Sequence, residues 1–291
     1  MPLAAAGRSV FHDAELYFPI IESVLLRVQR HRYAFLSDEW YRQQVEIDAL
    51  SVADRNQIVA LDLIEKAHLA AVTSLIRIKR WADAAILMHS SENFLGFCGA
   101  LRGLIEHSGD TVDGLLNLGG SIAANHRTLS QMFKGKVKKD LVDCSAMEAV
   151  VDHYIHAGWV NQKSVADRAL AAKPNVEYVR LVERALPGAV TLYHRLCAIV
   201  HPSNASISWL YQFDPESGLL MVVPNDSERI SSLCNEFPEA ASVTLQLACN
   251  SALITLRVLH KFGHHPQLPE LKGLDWRGVK FASEIEGLLR K

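Results

Sequence analysis

"RNQIVALDLIEKAHLAAVTSLIRIKRWADAAILM", residues 55–88, sets the fold class. Val59, Leu63, Ala67, Ala70, Ser74 and Ile78 are small or apolar and recur at steps of three and four, the period of one helix face. The stretch predicts about nine turns of helix at 3.6 residues per turn. It stops at "HSSEN", where Ser90 or Ser91 is expected to cap the next helix. That helix, "ENFLGFCGALRGLIEHSGDTVDGLLNLG", is expected to end at Gly119 and Gly120.

The pattern extends in both directions. "FHDAELYFPIIESVLLRVQRHRYAF" is helical in pattern, with Pro19 marking a start or a kink. One or two short helices follow, and Ser51 or Asp54 is placed to cap the long one. On the C-terminal side, "VEYVRLVERALPG" and "AVTLYHRLCAIVH" predict two helices split by Pro187-Gly188. "ISWLYQFDPESGLLMVV" holds two β-prone runs around a turn, so a hairpin is expected near residues 206–224. "PEAASVTLQLACNSALITLRVLHKFG" predicts a strong helix, Pro238 in its first turn and Gly263 at its end. "EAVVDHYIHAGWV" predicts another helix, "NQKSVADRALAAKPN" an exposed connector, and "VKFASEIEGLLRK" a terminal helix. The expected organisation is an N-terminal helical extension over 1–52, a helical bundle over 53–265 with an insertion near 120–175, and a C-terminal tail helix over 266–291.

Composition narrows the function. The 291 residues are 49% hydrophobic and 21% charged, with a net charge of −2, so a globally basic nucleic-acid surface is not the design. Five cysteines without a CxxC pair point to a reducing, cytoplasmic setting. No charge-free run of about 18 apolar residues is present, and no membrane span or secretion signal is expected. Glycine-rich phosphate loops and the GxSxG elbow are missing. Asp152, His153 and His156 lie close in sequence, as do His260, His264 and His265. Neither group has HExxH or paired-cysteine support, so no metal and no cofactor is expected. Lys134, Lys136, Lys138 and Lys139 flank Gly135 and are expected to form a solvated loop.

Two helices carry chemistry. Gly96, Gly99, Ala100 and Gly103 form a small-residue stripe. Three glycines in one helix cost about 2–3 kcal/mol against alanine, so a close approach of a helix backbone or a ligand is expected. His107 continues the stripe, and Arg102 and Glu106 sit four apart beside it. In "TLYHRLCAIVHPSNAS", residues 191–206, His201 is expected as the last helical residue, where the helix dipole favours its charged form. Arg195 lies six residues earlier, about 120° away on an ideal helix.

"YHRLCAIVHPS" preceded by "FLGFCGALRGLIEH" resembles the HEPN superfamily (higher eukaryotes and prokaryotes nucleotide-binding), over roughly residues 59–261 without the insertion. The resemblance implies a HEPN-like helical bundle. It also implies a metal-independent endoribonuclease of a toxin or antiphage defence system, working as a homodimer on RNA. Arg195 and His201 match the family's arginine and histidine, and Arg102 and Glu106 its charged positions on the partner helix. Those four are the expected catalytic residues, with Tyr193, His194, His107 and Ser203 as expected binding residues. Leu196 stands where nuclease members usually carry Asn, Asp or His. The alternative is a non-catalytic HEPN-like interaction or regulatory protein that binds a partner protein or a nucleotide-like ligand.

Overall fold

The computed structural model describes residues 3–158, 170–222, 225–269, 271, 274, 276 and 279–290. Most of the expected connector, 161–169, lies outside them, as does Trp159. The chain is mainly helical with one small two-stranded antiparallel sheet. In chain order the helices are α1 (Leu3–Phe11), α2 (Tyr17–Val28), α3 (Asp38–Glu46), α4 (Val52–Ser90) and α5 (Phe94–Thr111). Then come α6 (Asn117–Ala124), α7 (His126–Phe133), α8 (Ser145–His156), α9 (Asn175–Val182) and α10 (Ala189–Val200). A one-turn α11 (Asn204–Ile207) leads to strands β1 (Tyr211–Asp214) and β2 (Leu219–Val222). The chain closes with α12 (Asp226–Glu236), α13 (Ala240–Leu259) and α14 (Lys280–Arg290).

The long helix starts as expected. Ser51 Oγ accepts from Asp54 N at 3.2 Å and Asp54 Oδ2 accepts from Ser51 N at 3.1 Å, a reciprocal cap that satisfies two otherwise orphaned donors. Pro19 sits in the first turn of α2 and marks a start. The helix ends at Val28, short of the expected Phe35, and beyond it the rings of His31 and Tyr33 lie 4.7 Å apart. Three other boundaries differ from expectation. The cap of α5 is Asn93, whose Oδ1 accepts from Gly96 N at 2.7 Å; Ser91 instead donates back to Met88 O. Gly119 and Gly120 lie inside α6, and Gly119 takes the side chain of Thr255, whose Oγ1 would be 2.8 Å from an added Cβ. Pro238 precedes α13 and stays outside its first turn.

The chain divides into two compact units. The first comprises Met1–Pro19, Ile76–Asp110 and Pro174–Cys249. Its core includes Ile78, Phe97, Leu104, Ile105, Val179, Leu192 and Leu196. It also holds the hairpin, in which Tyr211 pairs with Val222 and Asp214 with Leu219. Asp214 shapes the turn by accepting from Glu216 N and Ser217 Oγ, and Gly218 takes φ +69°. Ile207–Leu210, expected as strand, are helical. The second unit comprises Ile20–Leu75, Thr111–Lys173 and Asn250–Lys291. Leu63, Ile64, Leu75, Leu115, Leu118, Ile122 and Leu253 fill it. Ala240–Phe262 is long and apolar enough to cross a membrane, yet 72% of its apolar window is buried inside the fold, as a core helix would be.

Candidate functional site

The α5 stripe leaves room for side chains of α4. A Cβ on Gly103 would lie 2.6 Å from the Trp81 indole, and one on Gly96 would strike Met88. Gly99 faces open space. The expected backbone approach occurs further along, at Gly109, where an added Cβ would meet Tyr178 O at 2.2 Å. Trp81 therefore explains Gly103, and Tyr178 explains a glycine outside the stripe.

One turn of α5 then faces α10. Arg102 Nε donates to Glu106 Oε1 at 3.0 Å. Tyr193 Oη donates to the same oxygen at 2.8 Å. The Arg102 guanidinium lies 5.7 Å from the Tyr193 ring centroid, within cation–π range. The other arm of Arg102, Nη1, lies 3.0 Å from His201 Nε2. Arginine is only a donor, so His201 accepts and Nε2 carries the lone pair in this arrangement. Burial disfavours the charged guanidinium, but the Glu106 carboxylate outweighs it and holds the Arg102 pKa above its usual value. Burial first, then the hydrogen bond to Glu106, pushes the Tyr193 phenol well above its ordinary range.

The cluster opens at one end. Arg102 and Glu106 side chains are 19% and 25% exposed, and His201 is exposed. His201 follows the last helical residue, Val200, with extended backbone (φ −82°, ψ 147°). That geometry swings the imidazole off the helix axis and toward Arg102. Ser203 enforces the break: its Oγ donates to Ala198 O at 2.9 Å, satisfying a carbonyl that the helix end leaves open. Ser206 Oγ in turn accepts from Ser203 N at 3.1 Å.

Other expected residues go elsewhere. Arg195 pairs with Glu236, both about half-exposed. His194 is exposed beside the Tyr193 ring. His107 is buried, its Nδ1 4.0 Å from Asp110 Oδ2. Of the expected catalytic four, the structure brings Arg102, Glu106 and His201 together, and adds Tyr193 from the binding set. Two cavities of about 190 and 210 Å³ in this unit are lined by other residues.

No family model, no curated protein and no solved structure matches the chain.

A second polar cluster escaped the sequence reading. On α4, Asp62, Glu65 and His68 are buried, amid the apolar positions that defined the helix. Asp62 is paired: Lys66 reaches it at 2.8 Å and Asp152 at 2.9 Å. That places Asp152 in an ion pair. His265, expected at a solvated helix end, is 3% exposed. The signal was present in the sequence as Glu65-x-x-His68, two polar residues one turn apart on a core-facing stripe.

Proposed function

We propose that the Arg102–Glu106–Tyr193–His201 cluster is a phosphate-contacting site of a HEPN-like protein that acts on RNA. The observation that carries this reading is the 3.0 Å pairing of Arg102 Nη1 with an exposed His201 Nε2. A guanidinium offers further donors to phosphate oxygens. An imidazole with an unprotonated Nε2 is the form a general base needs, and Arg102 would release that lone pair to a 2′-hydroxyl proton as its guanidinium turns to the phosphate. Arg102 would offset charge building on the phosphorus oxygens. Glu106 and Tyr193 would hold Arg102 in place as positioning residues. Arg195, paired to Glu236, has no part in this version of the site. On this reading the activity needs no metal, and its setting is a cytoplasmic toxin or antiphage system. All five cysteines are free, which fits a reducing compartment. The resemblance adds a homodimer that brings two such sites together.

The test is cleavage or binding of single-stranded RNA with no added metal. Arg102→Ala and His201→Ala should each lower it at least tenfold with the helical signal intact, while Arg195→Ala should stay within about twofold. Equal losses in all three, or none in the first two, would refute the assignment.

A second reading has its own observation. Phe213, Leu219, Leu220, Met221 and Val222 of the hairpin are exposed by half or more, and contiguous exposed apolar surface often marks a protein interface. That favours a non-catalytic interaction protein, in which the cluster would only recognise a ligand. Binding of RNA without cleavage, lost in Arg102→Ala, would separate the two.

A further inference from the structure

Three distant parts of the second unit converge on one point. His31 follows α2, Glu65 lies on α4, and His265 follows the left-handed turn at Gly263. Each offers one ligand atom, and the three atoms lie within 4.8 Å of one another. His31 Nε2, Glu65 Oε2 and His265 Nδ1 are all buried without a hydrogen-bond partner. The Glu65 and His265 residues are 5% and 3% exposed. Buried polar atoms are nearly always satisfied, and a buried carboxylate oxygen left alone is costly. One cation held between the three side chains would satisfy them together.

The surroundings are arranged as outer partners of a metal site. His264 Nε2 donates to Glu65 Oε1 at 2.6 Å, which leaves Oε2 free. His265 Nε2 lies 3.3 Å from Ile64 O, so that nitrogen donates and the neutral ring keeps its lone pair on Nδ1. Such backbone or charged partners commonly fix the tautomer and orientation of metal-bound histidines. His68 stacks flat on His265, ring centroids 3.8 Å apart, and is itself held by Tyr33 Oη at 2.8 Å.

We propose that His31, Glu65 and His265 bind one divalent transition-metal ion, zinc being the best fit. Two imidazoles and a carboxylate suit zinc and its neighbours, whereas magnesium and calcium take oxygen ligands. Tetrahedral zinc with bonds of about 2.0–2.1 Å sets its ligands about 3.3 Å apart. His31 Nε2 and Glu65 Oε2 already stand 3.6 Å apart. Three protein ligands leave the fourth position to water. The ion would tie the turn after α2 and the segment after Gly263 to the middle of α4, and it is independent of the Arg102 site.

The test uses the full chain without an affinity tag, stripped on a chelating resin and titrated with zinc chloride by calorimetry. Cobalt(II) absorption is the parallel readout. The expected result is one zinc per chain with Kd below about 1 μM, and a cobalt spectrum without a thiolate charge-transfer band. His31→Ala, Glu65→Gln and His265→Asn should each weaken binding at least tenfold, and His156→Ala, at an exposed helix end, should not. If a core variant fails to fold, His31→Ala and the wild-type cobalt spectrum decide. No binding by the wild-type chain, a thiolate band, or unchanged affinity in His31→Ala would overturn the proposal.

Discussion

Tyr193 and Arg102 both hold the same oxygen of Glu106, so single atoms can be removed and the loss measured. Tyr193→Phe deletes one half-buried hydrogen bond and should cost about 1 kcal/mol in urea unfolding. Glu106→Gln should cost more, because it leaves Arg102 partly buried without its carboxylate; a loss no larger than that of Tyr193→Phe would mean the pair is solvated. Glu183 makes a separate, pH-dependent contribution. Its two carboxylate oxygens accept from Gly188 N at 2.8 Å and Val190 N at 2.7 Å, capping α10. Those bonds hold its pKa below the usual carboxylate value. A depressed carboxylate pKa stabilises above the unfolded pKa and loses that contribution as pH falls. Glu183→Gln should therefore lower the melting midpoint at pH 7. The gap from wild type should close as pH falls through the carboxylate range, as followed by thermal melts. Of these residues, Arg102 and Glu106 were legible in the sequence because a four-residue spacing puts them on one face of α5, and His201 because Pro202 ends its helix. Arg195 lies six residues before His201, about 120° away on an ideal helix, and in the structure it pairs with Glu236 from α12.

Glycines in α5 are separable at the scale of the element. Gly99 meets nothing within 4 Å, whereas a Cβ at Gly109 would overlap the Tyr178 carbonyl. Gly99→Ala should stabilise by about 0.5–1 kcal/mol through helix propensity. Gly109→Ala should destabilise by about 2 kcal/mol or more, since backbone cannot yield as a side chain can. Equal effects in chemical denaturation would show that α9 does not press on α5 as described. The stripe was visible in the sequence, but what fills it was not. Periodicity identifies a face and says nothing of whether a neighbour offers an indole, a carbonyl or nothing. The same limit hid the Glu65 cluster. Its partners His31 and His265 are 34 and 200 residues away, and only the closed fold brings them together.

For the whole molecule, the mainly helical class with one hairpin followed from hydrophobic period and turn residues. The division into Met1–Pro19, Ile76–Asp110 and Pro174–Cys249 against the rest did not, because it depends on which segments return to pack together. If the second unit holds zinc, saturating the stripped chain at about 100 times Kd adds about 2.7 kcal/mol and should raise the melting midpoint by several degrees. An unchanged midpoint would contradict that site. The central claim, that RNA phosphate meets the Arg102–His201 pair, is tested most directly by NMR. The chain, labelled at histidine rings and arginine guanidinium groups, is titrated with a short single-stranded RNA. The account predicts saturable shifts of the His201 ring and the Arg102 guanidinium, with Arg195 unmoved and the effect abolished in Arg102→Ala. Shifts confined to Arg195, or no saturable shift at His201, would contradict it.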